Sequence, residues 1–153
     1  MRKELDRDEL EWLIIEFLKT QPTCVIATCS DNIPRASPVE FFPSGLTLYI
    51  FTEGGKKLEN IQKNPQVSVA VHAPFTGWET LKGVQITGIA EIGERGSTTY
   101  EKGIEAYMAR RGIESVEMPE SMNILKISPL KIEYLDTSLE GRGFHMKQTL
   151  FLE

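Results

Sequence analysis

The stretch "LTLYIFTEGGKKLENIQKNPQVSVAVH", residues 46–72, decides the fold. Its two ends read as strands. Leu46, Leu48 and Ile50 alternate with Thr47, Tyr49 and Phe51, and Val67, Val69 and Val71 share one face of the second segment. That period of two marks a half-buried strand. Between them, Leu58 and Ile61 stand three apart among Glu59, Gln62 and Lys63, and Pro65 stops the run. A short helix is predicted. It opens oddly, on Gly54-Gly55 followed by Lys56 and Lys57. A helix N-terminus already carries roughly half a positive charge, so each lysine in the first turn costs on the order of 0.3–1 kcal/mol.

Working outward, "TCVIATCS" (23–30) reads as a strand ending in the turn signal Asp31-Asn32, and "IPRASPVEFF" (33–42) as its partner. "GVQITGIAEIG" (83–93) alternates again, and "MNILKISPLKIEYLD" (122–136) returns to strand, broken or bulged at Pro129. "STTYEKGIEAYMARRG" (97–112) predicts a helix with a capping box from Thr98 to Glu101, a stripe of Tyr100, Ile104, Tyr107 and Met108, and Gly112 as its stop. An N-terminal amphipathic helix, about 5–20, carries Leu10, Leu13, Ile14, Phe17 and Leu18 on one face. Its polar face is acid-rich, which suits packing on a domain better than lying on a membrane. The expected fold is mainly β with flanking helices: one domain over residues 1–153, a six-stranded antiparallel barrel, closed or nearly so, with a C-terminal tail from about 137 to 153.

Composition narrows the function classes. The chain has 153 residues, 41% hydrophobic and 25% charged, with a net charge of −5. That fits an ordinary soluble globular domain and argues against a nucleic-acid binder. The N-terminus is too charged for a signal peptide. Cys24 and Cys29 lie five apart on one strand and so point to opposite faces. They read as small core residues of a protein in a reducing cytoplasm. His72 and His145 are the only histidines and form no ligand cluster, so no metal site is expected. No nucleophile elbow and no Gly-x-Gly-x-x-Gly or Walker loop occurs. Two readings of the lysine pair stand: solvated surface cations, or an anion site built with the glycine turn, the helix N–H groups and the Thr52 hydroxyl.

The order of these pieces carries a resemblance. "PRASPVEFF", a glycine turn, a strand ending in Thr52, "KKLEN", "NPQVSVAV" and "GVQITGIAE" together resemble the pyridoxamine 5'-phosphate oxidase-like flavoproteins, the FMN-binding split-barrel superfamily, over residues 22–136. The resemblance implies a Greek-key split barrel that dimerises with two flavins at the interface. It implies that Lys56 and Lys57 grip the FMN phosphate with help from Thr52, and that Ser37, Pro38, Val39 and Glu40 line the isoalloxazine ring. "WETLKG" is similar to a segment that reaches the flavin from the partner subunit, which makes Trp78 and Gln85 further candidates.

The departures bear on chemistry. True oxidases carry an arginine and a lysine for the cofactor where the resemblance puts Ser37 and Phe42. The C-terminal strand with its substrate-phosphate arginines has no counterpart, since "GRGFHMKQTLFLE" holds only Arg142. The expectation is therefore an FMN-dependent oxidoreductase of unidentified substrate and unknown catalytic residues, with no pyridoxamine phosphate oxidase activity. A haem-handling split barrel using His72 or His145, a deazaflavin-dependent reductase and a non-enzymatic flavin carrier are the alternatives.

Overall fold

The computed structural model describes residues 1–152. Helix α1 (Arg7–Thr20) is capped by Asp6, whose carboxylate accepts from the Asp8 N–H at 3.2 Å. It buries Leu10, Ile14, Phe17 and Leu18 against the sheet, as the spacing predicts. Strands β1 (Thr23–Ser30) and β2 (Ile33–Glu40) form a hairpin through Asp31 and Asn32. Both turn residues take left-handed backbone, φ 54° and 61°, the twist that a two-residue hairpin needs. A second hairpin joins β3 (Phe42–Ser44) to β4 (Thr47–Thr52). Then come α2 (Lys56–Lys63), β5 (Gln66–His72), a 3-10 turn at Trp78–Thr80, β6 (Lys82–Gly93), α3 (Thr98–Arg111), β7 (Asn123–Asp136), a 3-10 turn at Thr137–Arg142, and β8 (Lys147–Phe151).

All the ladders are antiparallel, in the order β2-β1-β5-β6-β7-β4-β3, with β8 also on β7. The two outer strands of this path, β2 and β3, are separated in the chain by Phe41 alone. The sheet therefore curls until its edges meet, and the chain rather than a ladder closes the ring. This is a split barrel. Its interior is filled by side chains such as Leu48, Ile50, Ile86, Leu125, Ile127 and Ile132, all 1% exposed or less. Among the described residues, no helix is long and apolar enough to cross a membrane.

Four local expectations are corrected. The strand count is eight, not six. The segment predicted as 33–42 divides at Phe41, which turns fully inward and donates its N–H to the Pro22 carbonyl at 3.2 Å. A terminal strand does exist: β8 pairs with the second half of β7, from Lys131↔Phe151 to Leu135↔Lys147. It escapes notice because its five residues follow a glycine-rich turn. Helix α3 is capped by Ser97, whose hydroxyl accepts from the Tyr100 N–H at 3.1 Å, rather than by Thr98. Its buried face runs through Tyr100, Gly103 and Ala106, because Gly103 lies so close to Ile124 that a Cβ there would sit 2.5 Å from it. The expected irregularity at Pro129 is a bulge: Gly88 faces Pro129 and Thr87 faces Lys131, leaving Leu130 as the extra residue.

Candidate functional site

Among the described residues, α2 is the one α-helix whose N-terminus has no side-chain cap. Gly54 and Gly55 reach it with φ of 130° and 90°, a left-handed path that glycine takes without strain. The Thr52 side chain is buried and holds this loop by exchanging two bonds with Gly54: its hydroxyl donates to the Gly54 carbonyl at 3.0 Å and accepts from the Gly54 N–H at 3.2 Å. The first helical carbonyl–amide bond runs from the Glu59 N–H to the Gly55 carbonyl. The N–H groups before it point out of the helix end with no partner inside the helix. Beside them stand Lys56, exposed, and Lys57, half-buried. Glu59 is the acidic residue of this first turn.

A third cation joins them. Arg35, on β2, lies near enough to Lys57 that burial first, and the Arg35 charge second, push the Lys57 ammonium below its ordinary pKa. Among the described residues, none of the ion pairs engages Arg35, Lys56 or Lys57. Three cations and a row of free N–H donors meet where β2, β4 and α2 approach. A phosphate dianion supplies what such a site lacks. Arg35 is not among the residues selected from the sequence; its signal is only its place two residues before Ser37 on the same face of one strand.

The other selected residues fall into two groups. Ser37, Pro38, Val39 and Glu40 occupy the end of β2, an outer strand of the sheet, paired with Ile26, Val25, Cys24 and Thr23. Ser37 and Val39 are half-buried, whereas Pro38 and Glu40 are exposed. The Glu40 carboxylate takes both its short contacts from Arg111, at 2.9 and 3.2 Å. Trp78, 75% exposed, and Gln85, exposed on β6 opposite Ala70 and Glu133, lie elsewhere. Within one chain they stand on other elements than the lysines: Lys56 and Lys57 open α2, before β5, whereas Trp78 lies in the 3-10 turn after β5 and Gln85 on β6. His72 is an exposed residue at the end of β5, its Nδ1 2.8 Å from the Ala73 carbonyl. Cys24 is buried among apolar groups that push its thiol up to about 12, so it is no nucleophile at neutral pH.

Known proteins share this architecture. The chain is 26% identical to a putative pyridoxamine 5'-phosphate oxidase from Listeria innocua, with a TM-score of 0.66 over 82% of this chain and 98% of that one. A FAD-binding protein from Mesorhizobium loti superposes with a TM-score of 0.62 at 22% identity, covering 80% and 90% of the two chains. An uncharacterised protein of Rhizobium meliloti (strain 1021) is 35% identical over 63 residues, which is 41% of each chain. The model of the pyridoxamine 5'-phosphate oxidase family matches residues 13–136, from α1 through the end of β7. With that much of its length matched, the chain belongs to the pyridoxamine 5'-phosphate oxidase family.

Proposed function

We propose that the protein is an FMN-binding flavoprotein, an oxidoreductase acting on a small substrate, assembled as a homodimer with a flavin at each side of the interface. The observation that carries this reading is the uncapped start of α2, where Lys57 is held below its ordinary pKa beside Arg35. The FMN phosphate draws on Lys56, Lys57, Arg35 and the first-turn N–H groups of α2, while Thr52 keeps the Gly54 loop in place. The ring lies along Ser37 to Glu40. Trp78 and Gln85 reach it from a second copy, in keeping with their place on elements apart from α2. Bound flavin supplies the two-electron chemistry, and the protein orients it and excludes water. Family membership and the FAD-binding Mesorhizobium loti protein support a flavin; the single-phosphate form is our choice because the lysines stand together at one helix start.

Mass spectrometry of the ligand released by denaturation tests the reading. FMN is expected. Haem, a deazaflavin, or failure of the purified protein to take up FMN overturns it. Light scattering tests the assembly, where a monomer that retains FMN refutes the shared site.

A further inference from the structure

A buried amide sits directly behind the lysines. Asn60 follows Lys56 by four residues and Lys57 by three, on the side of α2 that faces the barrel, and is 1% exposed. An unpaired carboxamide at that depth is costly, and a leucine of similar size packs more cheaply. Here both ends of the amide are satisfied by one strand. Ser30 Oγ donates to Asn60 Oδ1 at 2.8 Å, and Asn60 Nδ2 donates to Thr28 Oγ1 at 3.0 Å. Thr28 and Ser30 are themselves 3% and 9% exposed. A second stitch lies alongside, where Asn64 Nδ2 donates to the Cys29 carbonyl at 2.9 Å.

The register gives this network its meaning. Thr28 is the cross-strand partner of Arg35, and Ser30 is the partner of Ile33 at the hairpin. The Asn60 amide therefore ties the helix that carries Lys56 and Lys57 to the two β1 residues that set the position of β2. Lysines and arginine sit on different elements that no ladder joins, since β2 pairs with β1 alone. We propose that Asn60 is a positioning residue for the anion site: through Thr28 and Ser30 it fixes how far Lys56 and Lys57 stand from Arg35. The proposal rests on the flavin-phosphate reading and adds to it the residue that holds the two halves of the cradle in register.

The test compares FMN with riboflavin, which lacks the phosphate, by fluorescence titration of the apoproteins. Asn60→Leu keeps the volume and removes both bonds; Thr28→Val and Ser30→Ala each remove one and serve if the first variant does not fold. The expected result is that the preference for FMN over riboflavin falls about tenfold or more in Asn60→Leu, and less in the single-bond variants, while riboflavin affinity changes less than about twofold. A purely structural amide lowers the unfolding midpoint without moving that preference, and this outcome overturns the proposal. Equal losses for both ligands overturn it as well. If the wild-type protein itself binds the two flavins equally, the phosphate site is wrong and the positioning role falls with it.

Discussion

Two adjacent pairs of basic residues, Lys56-Lys57 and Arg110-Arg111, lie at opposite kinds of helix end. The arginines occupy the last turn of α3, where the dipole favours a cation, and Gly112 closes the helix behind them in left-handed backbone at φ 68°. Both are engaged within the fold. Arg110 donates to the Phe41 carbonyl at 2.5 Å and to the Leu18 carbonyl at 2.9 Å, and stacks 4.8 Å over the Phe41 ring. It thus caps the exit of α1 and pins the one residue that closes the barrel. Arg111 grips Glu40 and lies over the Tyr107 ring at 5.1 Å, in a cluster with Phe42 and Phe51. The lysines have the reverse situation: the unfavourable end of a helix, no cap, and a third cation nearby. Basic residues where the fold needs them explain themselves. Basic residues where the fold is better off without them point to a ligand.

The largest expected effect breaks the arginine side of this contrast. Arg110→Ala leaves the Phe41 and Leu18 carbonyls without their charged donor, and stability should fall by about 3 kcal/mol, at one to two charge-assisted bonds of roughly 1.5–3 kcal/mol each. Urea denaturation of the apoprotein measures it, and the ratio of FMN to riboflavin affinity should not move. Lys57→Ala should do the opposite. FMN affinity should drop by roughly 1.5–3 kcal/mol with riboflavin affinity unchanged, and apoprotein stability should hold or rise by about 0.3–1 kcal/mol. If riboflavin weakens as much as FMN, the lysine shapes the fold and the contrast fails.

Titration sharpens the comparison further. The Lys57 ammonium is held below 10.5 by burial and then by Arg35, and a bound phosphate favours its charged form. The FMN preference should therefore decay as pH rises through that lowered value, before 10.5 is reached, and should persist to higher pH in Lys57→Arg. In the apoprotein the unfolded chain holds this proton more tightly than the folded one, so the stability contribution of Lys57 should increase with pH over the same window. The arginine pair also bears on substrate. Arg110 and Arg111 are engaged within the fold and Arg142 is paired with Glu9 at 2.9 Å, so none of the three stands free to take the phosphate of a second ligand. Pyridoxal phosphate should not accumulate when the FMN-loaded protein is given pyridoxamine phosphate and oxygen. The smallest effect belongs to Arg111→Gln. Its pair with Glu40 is solvent-exposed, and such pairs contribute about 0.2–1 kcal/mol at most.

Strand positions were legible because alternation survives wherever one face is buried. The bounds read for 23–30 and 66–72 are those of β1 and β5, and the lysines announced themselves by standing against a dipole. What stayed hidden depends on residues far apart in sequence. Phe41 reads as one more strand residue until the barrel has to close on it. Asn60 reads as a polar position on a surface helix, because nothing local says that Thr28 and Ser30 lie beneath it. Arg35 sits in a run of exposed residues, and only the approach of α2 distinguishes it from its neighbours.

The pairing of β4 has a consequence for the order in which the chain can assemble. The Gly54 loop hangs from β4, whose main-chain partner through Leu48–Thr52 is β7, from Ile127 back to Asn123. A chain emerging from a ribosome makes β1, β2, α2 and β5 while that partner is still unmade. The β1–β2 hairpin closes over a two-residue turn and can form early, and β5, which pairs Ser68 with Ala27, is made before the chain reaches β7; β4 must wait until residues 123–127 are made. Until then the row of Leu48 and Ile50 has no ladder on its β7 side, and the glycine loop has no fixed anchor. The half of the anion site on β2 is thus ready early in synthesis and the half on α2 is steadied late. On the proposed reading, FMN added during refolding should therefore raise the yield of closed barrel without speeding the earliest phase.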